Sequence, residues 1–254
     1  KTKPDSGGAS NGGADNGLSE WTEHREELRR RIIAILAVFT AVTFPAFALS
    51  EKLAAFLMAP VVALGVTLHT FNPAEKFLAY LNLAVWTGAI FSAPFCLLQI
   101  GLFVWPALKG KERKWTLAAL LVVPVLFIAG SGLAYRFLSP VVLRFFLRFA
   151  SGDGIQPLWG FREYLSILYA LMLAAGLLLQ TPLLLLFSFV LGITTPKKIA
   201  RFRPHIIFLI FLVAGICTPP DVISQVALGV PLYLLFELTL FIGRFVRGRE
   251  GNAD

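Results

Sequence analysis

The feature that most constrains this chain is a series of apolar stretches, each long enough to cross a membrane. They occupy residues 32–49, 77–103, 116–138 and 164–191, and a longer stretch covers 206–242. A helix of about 20 apolar residues crosses the hydrocarbon core of a bilayer. The chain is 57% hydrophobic with a mean hydropathy of +0.74, well above an ordinary soluble domain. The sequence therefore predicts an all-α integral membrane protein.

The basic residues indicate how often the chain crosses the membrane. Most of the 23 Lys and Arg lie in the N-terminal segment, KGKERK, PKKIARFR and RFVRGR. The others are Lys52, Lys76, Arg136, Arg144, Arg148 and Arg162. Because loops rich in Lys and Arg remain in the cytoplasm, the pattern predicts six transmembrane helices with both termini cytoplasmic.

The last apolar stretch, 206–242, is interrupted by CTPPDVIS. Since the basic segments on either side of this stretch lie on the same side of the membrane, CTPPDVIS is predicted to be an external turn between two spans. Spans five and six are expected to be unusually short, because residues 206–217 provide about 18 Å of helix against roughly 30 Å of hydrocarbon. This mismatch predicts a locally thinned bilayer.

Two Thr-Pro pairs predict helix starts. In CTPPD, Thr218 is expected to be the N-cap, with Pro219 at the first helical position and Asp221 close to the exposed amides. TTPKK, at 194–198, repeats this pattern on the cytoplasmic side.

The polar ends of the chain set the domain boundaries. Residues 1–19 are rich in Gly, Ser, Asn and Asp, which predicts a flexible tail. Residues 20–244 are expected to form one membrane domain, followed by a short basic tail at 245–254. The two cysteines, Cys96 and Cys217, lie in apolar stretches and indicate neither a disulfide framework nor a metal site.

The sequence argues against an enzyme. The histidines, His24, His69 and His205, are isolated from one another, and none has a metal-ligand spacing. No Ser-His-Asp order, paired carboxylates or phosphate-binding glycine loop stands out. No catalytic residue, metal or cofactor is therefore predicted. The net charge of +8 is spread between apolar stretches, whereas binding of nucleic acid needs a basic face.

Polar residues within the apolar stretches are candidates for function, because burying them in hydrocarbon is costly. Glu237, in YLLFELTLF, is the strongest. It either has a functional role at membrane depth or is a carboxyl that is protonated or reaches a neighbouring helix. The amides of Asn82, Gln99, Gln180 and Gln225 more commonly join helices by hydrogen bonds.

Carboxylates in the basic cytoplasmic segments are a second group of candidates. The segment WTEHREELRRRI has the apolar spacing of a helix at the inner interface that leads into span one. Its glutamates either form i,i+4 ion pairs, Glu26 with Arg30 and Glu27 with Arg31, or bind a basic ligand. Glu112 lies alone among the four cations of KGKERK. It too forms either a local ion pair or a site for a basic ligand.

Four segments together resemble the TatC family, the multi-spanning core of the twin-arginine protein translocase. They are HREELRRR, FSAPFCLLQIGLFVWPALKGKERK, PLWGFREYLSILYALMLAAGLLLQTP and GICTPPDVISQVALGVPLYLLFE. The resemblance covers residues 18–244. It implies a non-catalytic receptor in the cytoplasmic membrane that binds the twin-arginine signal peptides of folded precursors. It also implies single-span TatA and TatB type partners, self-association in a larger complex, and transport driven by the proton-motive force.

The resemblance also implies which residues act. His24, Glu27, Leu28 and Arg29 match the family pattern HLxELR, with Arg25 where leucine is usual. Phe103, Pro106, Glu112 and Arg113 match the pattern of the first cytoplasmic loop. The signal-binding glutamates of the family thus correspond to Glu27 and Glu112, and each would accept one arginine with bidentate geometry. Pro60, Tyr135 and Asp221 fall on other positions that the family uses.

One position departs from the family. Gln180, in GLLLQTP, stands where the family commonly has an intramembrane glutamate. A glutamine can hydrogen-bond a polar residue of a partner helix but cannot titrate. The resemblance therefore implies docking of a partner helix at Gln180 and no proton coupling there.

Two other classes of membrane protein are alternatives. A small-solute secondary transporter would use Gln180 and Glu237 as a site near the membrane midplane. A permease subunit of an ATP-driven transporter would present a helical cytoplasmic coupling loop. The short inner loops and the absence of a detectable inverted repeat in the sequence argue against both.

Overall fold

A computed structural model describes residues 12–104, 111–150, 158–190, 192–217 and 222–248. Side chains are described for residues 25–103, 120–149, 158–189, 192–216, 222–223 and 225–244.

The described residues form ten α-helices, one π-helical segment and a pair of two-residue strands. The helices are α1 (Gly12–Ala48), α2 (Ser50–Val62), α3 (Glu75–Val104), α4 (Lys111–Leu133), α5 (Ser139–Ala150), α6 (Phe161–Leu178), α7 (Thr181–Val190), α8 (Pro196–Arg201), α9 (Arg203–Cys217) and α10 (Val222–Gly248). The π segment (Ala134–Leu138) joins α4 to α5, and the strands are β1 (Leu68–His69) and β2 (Trp159–Gly160). The predicted all-α architecture is confirmed.

The helices include five apolar segments long enough to cross a membrane, which are Arg25–Ala48, Glu75–Phe103, Leu120–Phe149, Phe161–Phe189 and Gln225–Arg244. The shorter α9 supplies the sixth apolar helix and has 15 residues, as expected for a short span five. The sixth span, Gln225–Arg244, has 20 residues and is the shortest of those five segments, as expected for a short span six, although α10 as a whole has 27 residues. This helix is longer than the span because it continues from the apolar residues into the basic segment that follows them.

The first helix also differs from the expected boundaries. It begins at Gly12, inside the segment 1–19 for which a flexible tail was predicted. Once a helix has formed, each added residue costs little, so the helix of span one extends backward through polar residues. Residues 1–11 lie outside the described part of the chain.

One end of the bundle, called here the α2 end, holds a hydrophobic core to which several helices contribute. Buried residues of α2, α3, α5 and α6 meet there, including Leu57, Leu83, Leu143 and Leu165. The strands lie at this end and pair in parallel, with Leu68 opposite Trp159. This pairing places the first turns of α3 and α6 beside each other. Under the predicted topology, the α2 end is external.

Thr195 confirms one predicted helix start at the other end of the bundle. Its hydroxyl accepts a hydrogen bond of 3.0 Å from the Lys198 amide, and Pro196 is the first residue of α8. The corresponding prediction for Thr218, Pro219 and Asp221 lies outside the described residues.

Candidate functional site

Glu27 lies on α1, one helical turn before Arg31. The Arg31 guanidinium donates from Nε to Glu27 Oε1 at 3.1 Å, and Nη2 donates to the same oxygen. The predicted i,i+4 pair of Glu27 and Arg31 is therefore confirmed. The two side chains differ in exposure, 37% for Glu27 and 19% for Arg31, so the carboxylate is the more accessible partner.

The same guanidinium joins α1 to the last turns of α3. Arg31 Nη1 donates to Gln99 Oε1 at 2.9 Å and to the Gln99 carbonyl oxygen at 3.4 Å, and Nη2 donates to the Leu102 carbonyl oxygen at 3.1 Å. Gln99 thus connects two helices, the role expected of amides within the spans. Because the guanidinium is bonded on several sides, it holds Glu27 at a defined place beside α3.

The second oxygen of the Glu27 carboxylate has a different environment. Among the described side chains, no hydrogen bond reaches Glu27 Oε2. Arg29 is exposed on the same helix, and Phe103, half-buried, follows Leu102 on α3. This cluster of Glu27, Arg31 and Gln99, called here the carboxylate clamp, therefore offers one carboxylate oxygen to a further donor.

The partner carboxylate expected from the resemblance is only partly described. Glu112 and Arg113 lie in the first turn of α4, and their side chains lie outside the described part of the chain. Pro106 lies in the segment between α3 and α4 that is also not described. The pairing of Glu27 with Glu112 in one site stays a prediction.

Two other predicted positions, Pro60 and Tyr135, meet at the α2 end. Pro60 has no N–H, so the Phe56 carbonyl four residues earlier lacks its usual helical donor. The Tyr135 hydroxyl donates to that carbonyl oxygen at 2.6 Å, and its ring stacks on Phe56 at 4.8 Å. Tyr135 belongs to the π segment, which widens the helix just before Pro140.

Tyr164 completes this arrangement and was not singled out from the sequence. Its hydroxyl donates to the Leu57 carbonyl oxygen at 2.6 Å, and the residue is 2% exposed. The sequence signal that could have identified it is weak, since a tyrosine near a helix start in an apolar stretch has many possible partners. Together Tyr135 and Tyr164 fasten α2 to the third and fourth spans.

The intramembrane polar residues each contact a neighbouring element. Gln180 occupies the turn between α6 and α7, is 5% exposed, and donates from Nε2 to the Gly176 and Val123 carbonyl oxygens at 3.3 Å. Its Oε1 is buried and has no partner among the described residues. Gln225 of α10 donates to the Phe211 carbonyl oxygen of α9 at 2.7 Å.

Glu237 reaches a neighbouring helix, one of the alternatives that the sequence left open. Arg203, the first residue of α9, donates from Nη2 to Glu237 Oε2 at 2.8 Å. The Tyr233 hydroxyl lies 3.1 Å from Glu237 Oε1, one turn earlier on α10. The carboxylate of Glu237 is therefore engaged on both oxygens.

The family model described as Sec-independent protein translocase protein (TatC) matches residues 23–231. The chain belongs to the TatC family. It is 32% identical to the Sec-independent protein translocase protein TatCy of Bacillus subtilis (strain 168) over 222 residues, 87% of each chain. It is 33% identical to TatC of Magnetococcus marinus over 235 residues, 91% of this chain and 86% of that one.

A solved structure of a TatC protein has a similar fold. The crystal structure of the twin-arginine translocase receptor TatC in DDM superposes with a TM-score of 0.75 at 30% identity, and the match covers 87% of this chain and 99% of that one. This TatC-family chain is accordingly a multi-pass membrane protein with a role in protein translocation. The TatC family is not an enzyme family, and the solute-transporter and permease alternatives are not favoured.

The predicted site residues of this TatC-family chain fall into two groups according to their contacts. Pro60, Tyr135 and Gln180 are held by contacts within the chain, so each has a structural role that is visible in the fold. Glu27 has an internal partner on one oxygen, and no described side chain donates to the other. Of the described residues, it is therefore the carboxylate best prepared to bind a cationic ligand.

Proposed function

We propose that this chain is the receptor and core subunit of a twin-arginine translocase. It binds the twin-arginine signal peptides of folded precursor proteins at the cytoplasmic face and supports their export across the cytoplasmic (inner) membrane, driven by the proton-motive force. The observation that carries this proposal is the carboxylate clamp, because it holds a carboxylate against a guanidinium and leaves Glu27 Oε2 without a hydrogen bond from the described side chains.

The chemistry of the clamp suits the proposed ligand. A guanidinium presents a planar fork of N–H donors that matches carboxylate oxygens, whereas an ammonium offers only a point charge. Arg31 already makes such contacts with Glu27 Oε1. A signal-peptide arginine would approach Glu27 Oε2 from the exposed side, and Arg31 would limit rotation of the carboxylate.

Glu112 is the proposed second carboxylate, with Arg29, Phe103 and Arg113 as flanking residues. The first turn of α4 follows α3 after a short connection, and Arg31 is bonded to the last turns of α3. The chain order thus supports a location of Glu112 close to the clamp. Two carboxylates on separate helices would distinguish paired arginines from a single cation.

The remaining parts of the proposal concern topology and partners. Both termini are proposed to be cytoplasmic, since most of the Lys and Arg lie in the corresponding segments. Single-span TatA and TatB type subunits are the proposed partners in the bilayer, and copies of this chain assemble in a larger receptor complex. Gln180 and Gln225 are proposed contacts for partner helices. Asp221 and the Pro60–Tyr135 pair act at the external face.

Site-specific photo-crosslinking from position 112 tests the proposal. The probe is a precursor with a twin-arginine signal, compared with the same precursor bearing twin lysines. We expect a crosslink that requires the arginines and weakens in Glu27→Gln. Glu26→Gln, on an exposed neighbour, is the matched control and should leave the crosslink unchanged. An equally strong crosslink to the twin-lysine precursor in a verified, assembled complex would contradict the proposal.

A further inference from the structure

A polar cleft lies between α3 and α6 at the α2 end of the bundle, about 20 Å along α3 from Gln99 of the carboxylate clamp. The cleft is open to the surroundings and measures about 370 Å³ with that open space included. Residues of both helices at helical spacing line it: Ala79, Asn82 and Trp86 from α3, and Arg162, Leu165, Ser166 and Tyr169 from α6. The β1–β2 pairing places the first turns of these helices side by side, so the cleft is built into the fold.

The deepest polar group of the cleft is the Tyr169 hydroxyl. Tyr169 is 2% exposed, and its hydroxyl is buried without a hydrogen-bond partner among the described residues. Its ring stacks on Trp86 with centroids 6.0 Å apart and an interplanar angle of 18°. A buried hydroxyl left unpaired costs free energy. The cleft therefore favours a ligand that supplies a hydrogen-bonding atom at this depth.

The mouth of the cleft carries a positive charge. Arg162 takes part in neither of the ion pairs found among the described residues. Neither nearby carboxylate forms an ion pair with Arg162: Glu75 Oε2 accepts hydrogen bonds from the Phe71 and Asn72 amides, and Glu163 folds back over Gly160. The charge of Arg162 is thus available to an anion, with the Ser166 hydroxyl and the Asn82 amide as further donors.

The surroundings of the cleft distinguish a lipid from a free anion. On α3 the cleft residue Asn82 is flanked at i−4 and i+3 by Leu78 and Val85, which are 41% and 42% exposed within a helix long enough to span a membrane. Arg162 and Tyr169 are seven residues apart, about 10 Å along the helix. A phosphate ion bound at Arg162 would not extend to Tyr169, whereas a phosphodiester followed by glycerol ester oxygens would cover this distance.

We propose that the cleft binds the phosphodiester headgroup of a membrane phospholipid. The phosphate lies at Arg162 and Ser166, the ester oxygens accept a hydrogen bond from Tyr169, and the acyl chains follow the apolar face of α3. Under the proposed topology, the lipid belongs to the external leaflet. Its headgroup holds the fourth crossing, α6, to α3 at a level where the cleft would otherwise keep the Tyr169 hydroxyl unpaired.

Native mass spectrometry of the purified protein with added phosphatidylglycerol tests this assignment. We expect the wild-type chain to retain one lipid, and Arg162→Gln to weaken that binding about tenfold, as expected for loss of a charge-assisted hydrogen bond. Arg144→Gln is the matched control, since Arg144 is an exposed arginine of α5 that does not line the cleft. Tyr169→Phe should weaken binding by a smaller factor.

Two further measurements separate the possible results. Phosphatidylglycerol should raise the thermal midpoint of the wild-type protein and of Arg144→Gln but not that of Arg162→Gln, whose exposed side chain is not needed for folding. Equal retention of lipid by wild type and Arg162→Gln would overturn the proposal. Displacement of the lipid by millimolar inorganic phosphate would also overturn it, because the ligand would then be a soluble anion.

Discussion

Gly130 of α4 lies against the backbone of α6 at Ala175, so closely that a methyl group on Gly130 would stand 2.6 Å from the Ala175 carbonyl oxygen. The Cα of Gly176 would be 2.9 Å away. Beside this contact, the Ser131 hydroxyl donates to the Met172 carbonyl oxygen at 3.0 Å. Small residues thus allow the third and fourth spans to approach backbone to backbone, the usual way in which helices pack in membranes.

Gly130→Ala should therefore destabilise the protein, because the obstructing atoms belong to backbone that cannot rotate away. We expect a cost of about 1–3 kcal/mol, the usual range for overpacking. Gly132→Ala is the matched control, since a methyl group there meets nothing within 4 Å. Thermal unfolding in detergent compares the two variants. Equal thermal midpoints for Gly130→Ala and Gly132→Ala would show that α4 and α6 move apart to accommodate the methyl group without loss of stability.

The Tyr135 hydroxyl should stabilise the fold, because Pro60 leaves the Phe56 carbonyl without a helical donor. Tyr135→Phe removes the donor to the Phe56 carbonyl and should cost about 0.5–1.5 kcal/mol, the net range for one hydrogen bond, because the bond is exposed. Pro60→Ala supplies a backbone N–H to the same carbonyl. The cost of Tyr135→Phe should therefore be smaller in the Pro60→Ala background, as a double-mutant cycle of thermal stability would measure.

Tyr164→Phe provides the control for that cycle. Tyr164 donates to the Leu57 carbonyl, whose helical donor is the amide of Val61 and does not depend on position 60. Its cost should be the same with proline or alanine at position 60. A change in the cost of both tyrosine substitutions would indicate that Pro60→Ala displaces α2 as a whole.

Much of the fold could be predicted because membrane spans and helix caps are local properties. The apolar stretches gave the long helices, and the Thr-Pro pair at Thr195 gave the start of α8. The ion pair of Glu27 with Arg31 is equally local, since it depends on a spacing of four residues. The end of α10 was missed because helix continuation through a basic segment leaves no apolar signal.

The contacts that complete the site could not be predicted, because they join residues distant in the sequence. Arg31 and Gln99 are 68 residues apart, and Tyr164 and Leu57 are 107 apart. Periodicity identifies which face of a helix is apolar but not which helix packs against it. Pro60 and Tyr135 were marked by the family resemblance alone, and their connection through the Phe56 carbonyl emerged only from the fold.

Arg31 should determine how well Glu27 binds a twin-arginine signal. Arg31→Lys keeps the charge but loses the planar fork that reaches Glu27, Gln99 and Leu102 together. We expect affinity for a fluorescent twin-arginine peptide to fall several-fold, to about tenfold, because an ammonium cannot replace a bidentate guanidinium. Arg30→Lys, on the exposed neighbour, should leave the affinity unchanged. Unchanged affinity in Arg31→Lys would mean that Glu27 is positioned by other contacts.

Glu237 and Arg203 provide a test of whether a carboxylate at membrane depth serves structure or transport. Glu237→Gln should destabilise the protein by about 0.5–2 kcal/mol, a modest cost because the two side chains are 29% and 41% exposed. Much of that cost should come from the unpaired Arg203, whose Nε is already buried without a partner among the described residues. The double variant Arg203→Gln with Glu237→Gln should therefore recover part of the stability.

Export of a twin-arginine precursor, measured in the same variants, separates the two roles of Glu237. If the carboxylate only joins α9 to α10, export should follow stability and return in the double variant. Loss of export in the double variant, at recovered stability, would assign the charge of Glu237 itself to transport. We expect export to return, because both carboxylate oxygens are already engaged, by Arg203 and by Tyr233, and neither is left to accept a mobile proton or a ligand.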